Sequence, residues 1–218
     1  MTGVRNFKDD LAAERKDTLR PEVRDLLRSL FPQATGMRVE RRPAAQKVGV
    51  DVAVNVERGP PVTIDIKFRE RDYDDIALEY AHAKDDGGIM VGWVADESKK
   101  CDLFAYIFKT TWTCYLLPRP ALQRAWRERS GEWLAQYRHP QYHRTRNKTY
   151  WTKWCPVPTD VVMQHVGGIR IATLEGASIP QRSDFFEHYC HCGHWGSFGS
   201  GVAIRGGKEG HWRCRDHR

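Results

Sequence analysis

Asp65 and Lys67 stand two apart in the run VTIDIKF (62–68). The two-residue period of a strand puts both side chains on one face while Ile64, Ile66 and Phe68 turn to the other. Taking a carboxylate and an ammonium out of water is costly unless they pair or hold an ion. Asp51 stands in an equally apolar run, among Val48, Val50, Val52 and Val54. An odd-numbered hairpin loop, or a bulge at Gly49 that resets the phase, brings Asp51 onto the Asp65–Lys67 face. Two converging carboxylates offer hard oxygen ligands to Mg²⁺ or Mn²⁺, with the Ile66 backbone carbonyl as a third. Such an ion acidifies a water and neutralises charge on a phosphate. Lys67 can then orient that water or stabilise the charge that develops in an in-line displacement. A cross-strand Asp51–Lys67 ion pair with no chemistry leaves the same sequence.

A second group of ligand-type residues lies near the C-terminus, in HYCHCGHWGSFGSGVAIRGGKEGHWRCRDHR. Cys190 and Cys192 precede a Gly-rich hairpin, and Cys214 and His217 follow it. Two close pairs bridged by a tight loop supply the tetrahedral N/S set that zinc takes, and four protein ligands leave no open position for a substrate water, so the zinc is structural. His188 or His191 are alternatives to Cys190, because C-x-C replaces the commoner C-x-x-C. So short a segment needs the metal to fold. Cys101, Cys114 and Cys155 are isolated and belong in the core.

Pro21, followed by Val23, Leu26, Leu27, Leu30 and Phe31 at helical spacing, predicts a helix that Pro32 ends, and Phe7, Leu11 and Glu14 share one face of a shorter helix before it. Three short strands follow, MRVER, GVDVAVNV and VTIDIKF, the last two separated by Gly59-Pro60-Pro61. Ile76 and Tyr80, at i and i+4, predict a helix over about 73–84. A Gly-led strand GGIMVGWV, a helix around 102–108 and a strand TWTCYLLP come next. Pro120 opens an amphipathic helix through Leu122, Trp126, Trp133 and Tyr137; an extended piece near 150–154 and a helix over about 159–166 complete the pattern. The order implies an α/β fold with a mixed sheet flanked by helices. A composition change near 178–183 divides a main domain, 1–180, from the zinc module, 181–218.

The chain has 218 residues, enough for one full-sized core and a small appendage. Hydrophobic residues at 40% and charged residues at 29% fit a globular class. No run approaches the roughly 18 unbroken apolar residues of a spanning helix, and MTGVRNFKDD lacks the apolar core of a secretion signal, so a cytoplasmic setting with reduced thiols is expected. The net charge of +7 is concentrated: Arg119–Lys148 carries eight basic residues against two acidic ones. Trp112, Trp126, Trp133, Trp151 and Trp154 lie in or beside it. Basic side chains neutralise phosphates and aromatic faces stack on bases, which makes Arg138, Arg144, Arg146 and Lys148 candidate nucleic-acid contacts. A solvated helix whose aromatics face the core accounts for the same composition.

Gly49-Val50-Asp51, a hairpin, and Asp65-Ile66-Lys67 in an apolar strand behind an N-terminal helix resemble the PD-(D/E)-x-K, or restriction-endonuclease-like, nuclease superfamily. Its core is a helix, three strands, a helix and a strand, here roughly 1–117, with Val50 in the place of the Pro and 119–180 as a basic, aromatic helical extension. DIALEY, GWVADESKKCDLFAYIF, CYLLP and TYWTKWCPVP look like segments of phage-borne and bacterial nucleases of this superfamily. The resemblance implies Mg²⁺-dependent hydrolysis of DNA phosphodiesters, giving a 5′-phosphate, with Asp51, Asp65 and Lys67 catalytic. It also implies an extra carboxylate on the first helix, Glu14 or else Glu22, and a Glu79–Tyr80 pair on the helix after the Lys strand, where Tyr80 as plain packing is equally consistent. Many members are homodimers. The tail is similar to zinc-ribbon or treble-clef-like knuckles of phage and bacterial proteins. The rival readings are a non-catalytic nucleic-acid-binding or inhibitor protein that keeps this fold, and a zinc enzyme using the His-rich tail.

Overall fold

Pro21 at the first helical position, Glu22 in the first turn and Arg28 in the last suit the ends of helix α1 (Pro21–Leu30). The helix buries Val23, Leu26, Leu27 and Leu30. A meander of three antiparallel strands follows: β1 (Ala34–Val39), β2 (Val52–Val56) and β3 (Val62–Arg69), with the short helix α2 (Pro43–Lys47) between the first two. The structure, a computed structural model, describes residues 16–57, 59–83, 88–137, 143–144, 149–174, 176–178, 198–200 and 211–213.

After β3 the chain departs from expectation. The segment read as a helix over 73–84 is strand β4 (Asp75–Ala83), and the one read as a helix around 102–108 is strand β6 (Leu103–Phe108). GGIMVGWV contributes only β5 (Ile89–Val91) before it turns. Gly92 lies so close to the Glu79 carbonyl that any Cβ there would collide with it, and its N–H donates to the Tyr80 carbonyl at 2.9 Å. β7 (Thr113–Pro118), helix α3 (Arg119–Tyr137), β8 (His143–Arg144), β9 (Thr149–Pro158), helix α4 (Thr159–His165), β10 (Arg170–Thr173) and β11 (Gly176–Ser178) follow.

The main sheet has seven strands in the order β1-β2-β3-β6-β7-β10-β11; β3 and β6 run parallel and its other pairs antiparallel. A second sheet, β5-β4-β9-β8, carries the excursion between β3 and β6. One face of the main sheet packs Val52, Val54, Ile64, Ile66 and Leu103 against α1. The other packs Phe104, Tyr106 and Phe108 against β4, β9, α3 and α4. The fold is therefore α/β, with a mixed sheet between a helix and a mixed strand-and-helix layer.

Trp126 and Trp133, candidate stacking aromatics, are core residues of α3, only 6% and 1% exposed. Tyr80 stacks on Trp126 at 5.6 Å, which is packing. Cys101, Cys114 and Cys155 are buried free thiols, as expected. Burial, and for Cys101 also the charge of Asp65, pushes the Cys101 and Cys114 thiols up to about 12. Near the C-terminus β12 (Phe198–Ser200) and β13 (His211–Arg213) form an antiparallel hairpin. The expected domain boundary near 178–183 lies outside the described residues beyond Ser178. Among the described residues no helix is long and apolar enough to cross a membrane.

Candidate active site

The register of β2 on β3 is Val52↔Ile64, Ala53↔Thr63, Val54↔Val62, and it ends one residue short of Asp51. The five residues 57–61 between β2 and β3 make the odd-numbered loop the geometry needs. The Asp51 N–H donates to the Ile64 carbonyl at 2.9 Å, one residue out of step with that register, so the ladder is irregular at Asp51, and Asp51 and Asp65 line the same groove. Gly49, at φ +80, is required by a close approach: a Cβ on it would lie 2.7 Å from Asp65 Oδ2 and 2.7 Å from Lys99 Cδ.

Asp65 is 1% exposed. Its Oδ1 lies 2.6 Å from Lys67 Nζ and its Oδ2 lies 3.4 Å from Lys99 Nζ. Oδ2 accepts no hydrogen bond among the described residues. Burial alone would push this carboxyl up. The charges of Lys67 and Lys99, the Lys67 hydrogen bond and the Asp51 carboxyl within hydrogen-bonding reach outweigh it and hold Asp65 below the ordinary carboxylate range. The ion pair that forms is thus Lys67–Asp65 within one strand. The Asp51 side chain takes a different contact: its Oδ2 accepts the Ile66 N–H at 2.8 Å. In a strand the N–H and C=O of one residue face the same edge, so the Ile66 carbonyl also faces the edge where β2 has ended.

These groups open on a groove of ≈ 350 Å³ lined by Asp51, Asp65, Lys67, Lys99, Glu40 and Gln46 among others. Glu40 is buried and accepts from the Arg41 and Arg42 N–H groups and the Arg42 guanidinium, with Nη2–Oε2 at 2.7 Å. Hydrogen bonds from the Arg42 side chain and backbone hold its carboxyl down at about 2. The Glu40 N–H donates to the Asp51 carbonyl at 2.7 Å, so this knot braces the Asp51 backbone. Arg38 and Arg42 stay largely exposed beside it, making the groove's rim basic.

Sequence reasoning missed Lys99 and Glu40. Lys99 arrives on a turn that only the β3–β6 pairing brings alongside Asp65; a Lys99-Lys100 doublet before an apolar run is too common a pattern to single out. Glu40 looked like one charge in a basic strand end. In contrast, the Glu79 expectation fails. Glu79 sits on strand β4, paired with His82 at 2.5 Å, and is not among the groove's lining residues, because the helix meant to carry it is a strand of the second sheet. Glu22 likewise does not line the groove. Glu14, Arg138, Arg146, Lys148, Cys190, Cys192, Cys214 and His217 lie outside the described residues, and Arg144 is described only as backbone of β8.

Among the described residues no group of three or more His, Cys, Asp and Glu side chains gathers as a metal site. The set present is sparser: two carboxylates, one with an orphaned buried oxygen, and a carbonyl at the same strand edge. Mg²⁺ keeps several waters and commonly binds through one or two carboxylates, so the donor set fits that ion and not a closed all-protein cage. No family model, curated protein or solved structure matches this chain.

Proposed function

We propose that the chain is a divalent-metal-dependent nuclease with a restriction-endonuclease-like core, hydrolysing phosphodiester bonds of DNA. The observation that carries this reading is the convergence of Asp51, Asp65 and Lys67 on one groove, with Asp65 Oδ2 buried and undonated. A helix packed on a three-strand meander, whose third strand bears the acid and lysine and pairs in parallel with β6, also supports it. The excursion between those strands departs from the superfamily pattern, in which a helix stands where β4 and β5 do here.

Asp51, Asp65 and the Ile66 carbonyl would hold the ion. When bound, a divalent cation supplies positive charge to the scissile phosphate and makes a nearby water more acidic. Lys67, anchored on Asp65, can orient the attacking water or neutralise charge on the phosphoryl oxygens. The Ile66 N–H bond fixes the Asp51 carboxylate, so little reorganisation accompanies the reaction. The basic rim at Arg38, Arg41 and Arg42 suits a polyanion. For the tail, the β12–β13 hairpin between the sequence-adjacent ligand pairs is consistent with a structural zinc on Cys190, Cys192, Cys214 and His217.

The test is cleavage of plasmid, linear, single-stranded and branched DNA, and of RNA, with Mg²⁺ or Mn²⁺. Asp65→Asn and Lys67→Ala should each lower the rate by at least about 10²-fold while folding normally. Full activity in either refutes the reading. One observation favours the non-catalytic alternative: two ammonium groups already neutralise Asp65, as in a structural ion-pair cluster. Salt-dependent DNA binding with no cleavage under any divalent ion would select it.

A further inference from the structure

Lys99 is held in place by a loop built for it. The Lys100 N–H donates to the Val48 carbonyl at 2.8 Å, next to Gly49, and Asp102 and Thr63 exchange hydrogen bonds of 2.7–3.1 Å across β3. On the other side, Gln123 Nε2 donates to the Asp96 carbonyl at 2.8 Å, and Arg119 bonds both Gln123 Oε1 and the Cys101 carbonyl. The stem of Lys99 lies against Gly49, where a Cβ would strike its Cδ. Its ammonium can therefore reach only a small volume, and that volume includes Asp65 Oδ2.

The two lysines hold Asp65 unequally. Lys67 sits at hydrogen-bond distance, 2.6 Å from Oδ1, whereas Lys99 stands 3.4 Å from Oδ2 and makes no hydrogen bond to it. Oδ2 is buried, charged and undonated, an arrangement that is costly unless a cation completes it. With two carboxylates and two ammonium groups the cluster is formally neutral. A divalent ion entering it leaves two positive charges in excess, which match one negative charge on a phosphodiester and one on an attacking oxygen.

Resting on the nuclease reading, we propose that Lys99 is the site's exchangeable cation. It neutralises Asp65 Oδ2 when no divalent ion is bound, cedes that oxygen to the ion, and then binds the phosphate of the substrate. Lys67 keeps its bond to Oδ1 throughout. Lys99 and the metal thus compete for one carboxylate oxygen, while Lys99 and the metal cooperate on the phosphate.

The experiment measures Mn²⁺ binding to the full chain by calorimetry, without nucleic acid, and separately the affinity for a DNA duplex in Ca²⁺. Wild type, Lys99→Met, Lys99→Arg and Asp65→Asn are compared, each checked for a cooperative unfolding transition. Lys99→Met should bind Mn²⁺ about tenfold more tightly, because a competing charge is gone. It should bind the duplex about tenfold more weakly, with the salt slope reduced by about one. Lys99→Arg should keep the duplex affinity, and Lys99→Gln, read for the same two affinities, takes the place of the Met variant if that one does not fold. Unchanged or weaker Mn²⁺ binding in Lys99→Met overturns the inference, as does tighter binding with unchanged duplex affinity. If wild type binds no Mn²⁺, the nuclease reading itself fails and takes this inference with it. If Mn²⁺ binds and Asp65→Asn abolishes it, the metal site on which the nuclease reading depends stands whatever Lys99 does.

Discussion

A methyl group at position 49 is the sharpest probe of the site's geometry. Gly49 has φ +80, a region that costs an L-residue about 1–2 kcal/mol. Its new Cβ would also lie 2.7 Å from Asp65 Oδ2 and from Lys99 Cδ, and 3.2 Å from Lys99 Nζ. Asp65 has little room to retreat, since β3 is laddered to β6 from Ile64 to Arg69 and Lys67 holds Oδ1. Lys99 is the softer partner and gives way, so the Asp65–Lys99 contact is lost in addition to the backbone strain. We expect Gly49→Ala to destabilise the protein by about 2 kcal/mol. At roughly 2 kcal/mol per molar urea, the unfolding midpoint followed by tryptophan fluorescence falls by about 1 M. Gly131→Ala is the control of opposite sign. Gly131 lies inside α3 with nothing within 4 Å of where its Cβ would be, so alanine should stabilise by about 0.5–1 kcal/mol. If Gly49→Ala unfolds at the wild-type midpoint, the close approach of Asp65, Lys99 and residue 49 is wrong.

Other consequences can be measured in parallel. Asp65 titrates below its unfolded-state value of about 3.9, so the stability it contributes is complete above that pH and is lost as pH falls through the lower, folded value. Acid unfolding should accordingly be steeper below about pH 4 in wild type than in Asp65→Asn, and equal slopes would count against the pairing. Trp133→Ala should cost about 3–5 kcal/mol by opening a core cavity, while DNA affinity per folded molecule stays unchanged; lost binding at unchanged stability would return Trp133 to the interface. Metal analysis should find zinc bound to the purified chain and absent from Cys192→Ser or Cys214→Ser, and zinc retained in both would exclude the ligand set.

The part of the site built from local sequence was legible and the part built from long-range pairing was not. Across 48–56 and 62–68 apolar residues recur at every second position, and the only charged residues between them are at 51, 65 and 67, which identifies both the strands and the odd charges. The segment Asp75–Ala83 misleads because Ile76 and Tyr80 satisfy a helical spacing, yet pairing with β9 along most of the strand's length decides the outcome. In Leu103–Phe108 all six positions are buried, so no period survives to distinguish a strand from a helix, although its aromatic and β-branched content leaned toward a strand. The Glu79 assignment fell with the first of these elements. Trp126 and Trp133 show that the aromatics of a basic segment can belong to its inward face.

The parallel pairing of β3 with β6 also sets a folding order. The β2–β3 hairpin, with Asp51, Asp65 and Lys67, can form from neighbours in sequence, but Thr63 and Asp102, which close the parallel pair, are 39 positions apart. Contacts of that separation are formed late and slowly, since chain entropy is spent before they are made. Until they close, Asp65 has only one of its two lysines nearby and burying it is unfavourable. The same carboxylate that would later serve chemistry thus acts earlier as a checkpoint, keeping the sheet's centre open to water until the distant half of the chain arrives.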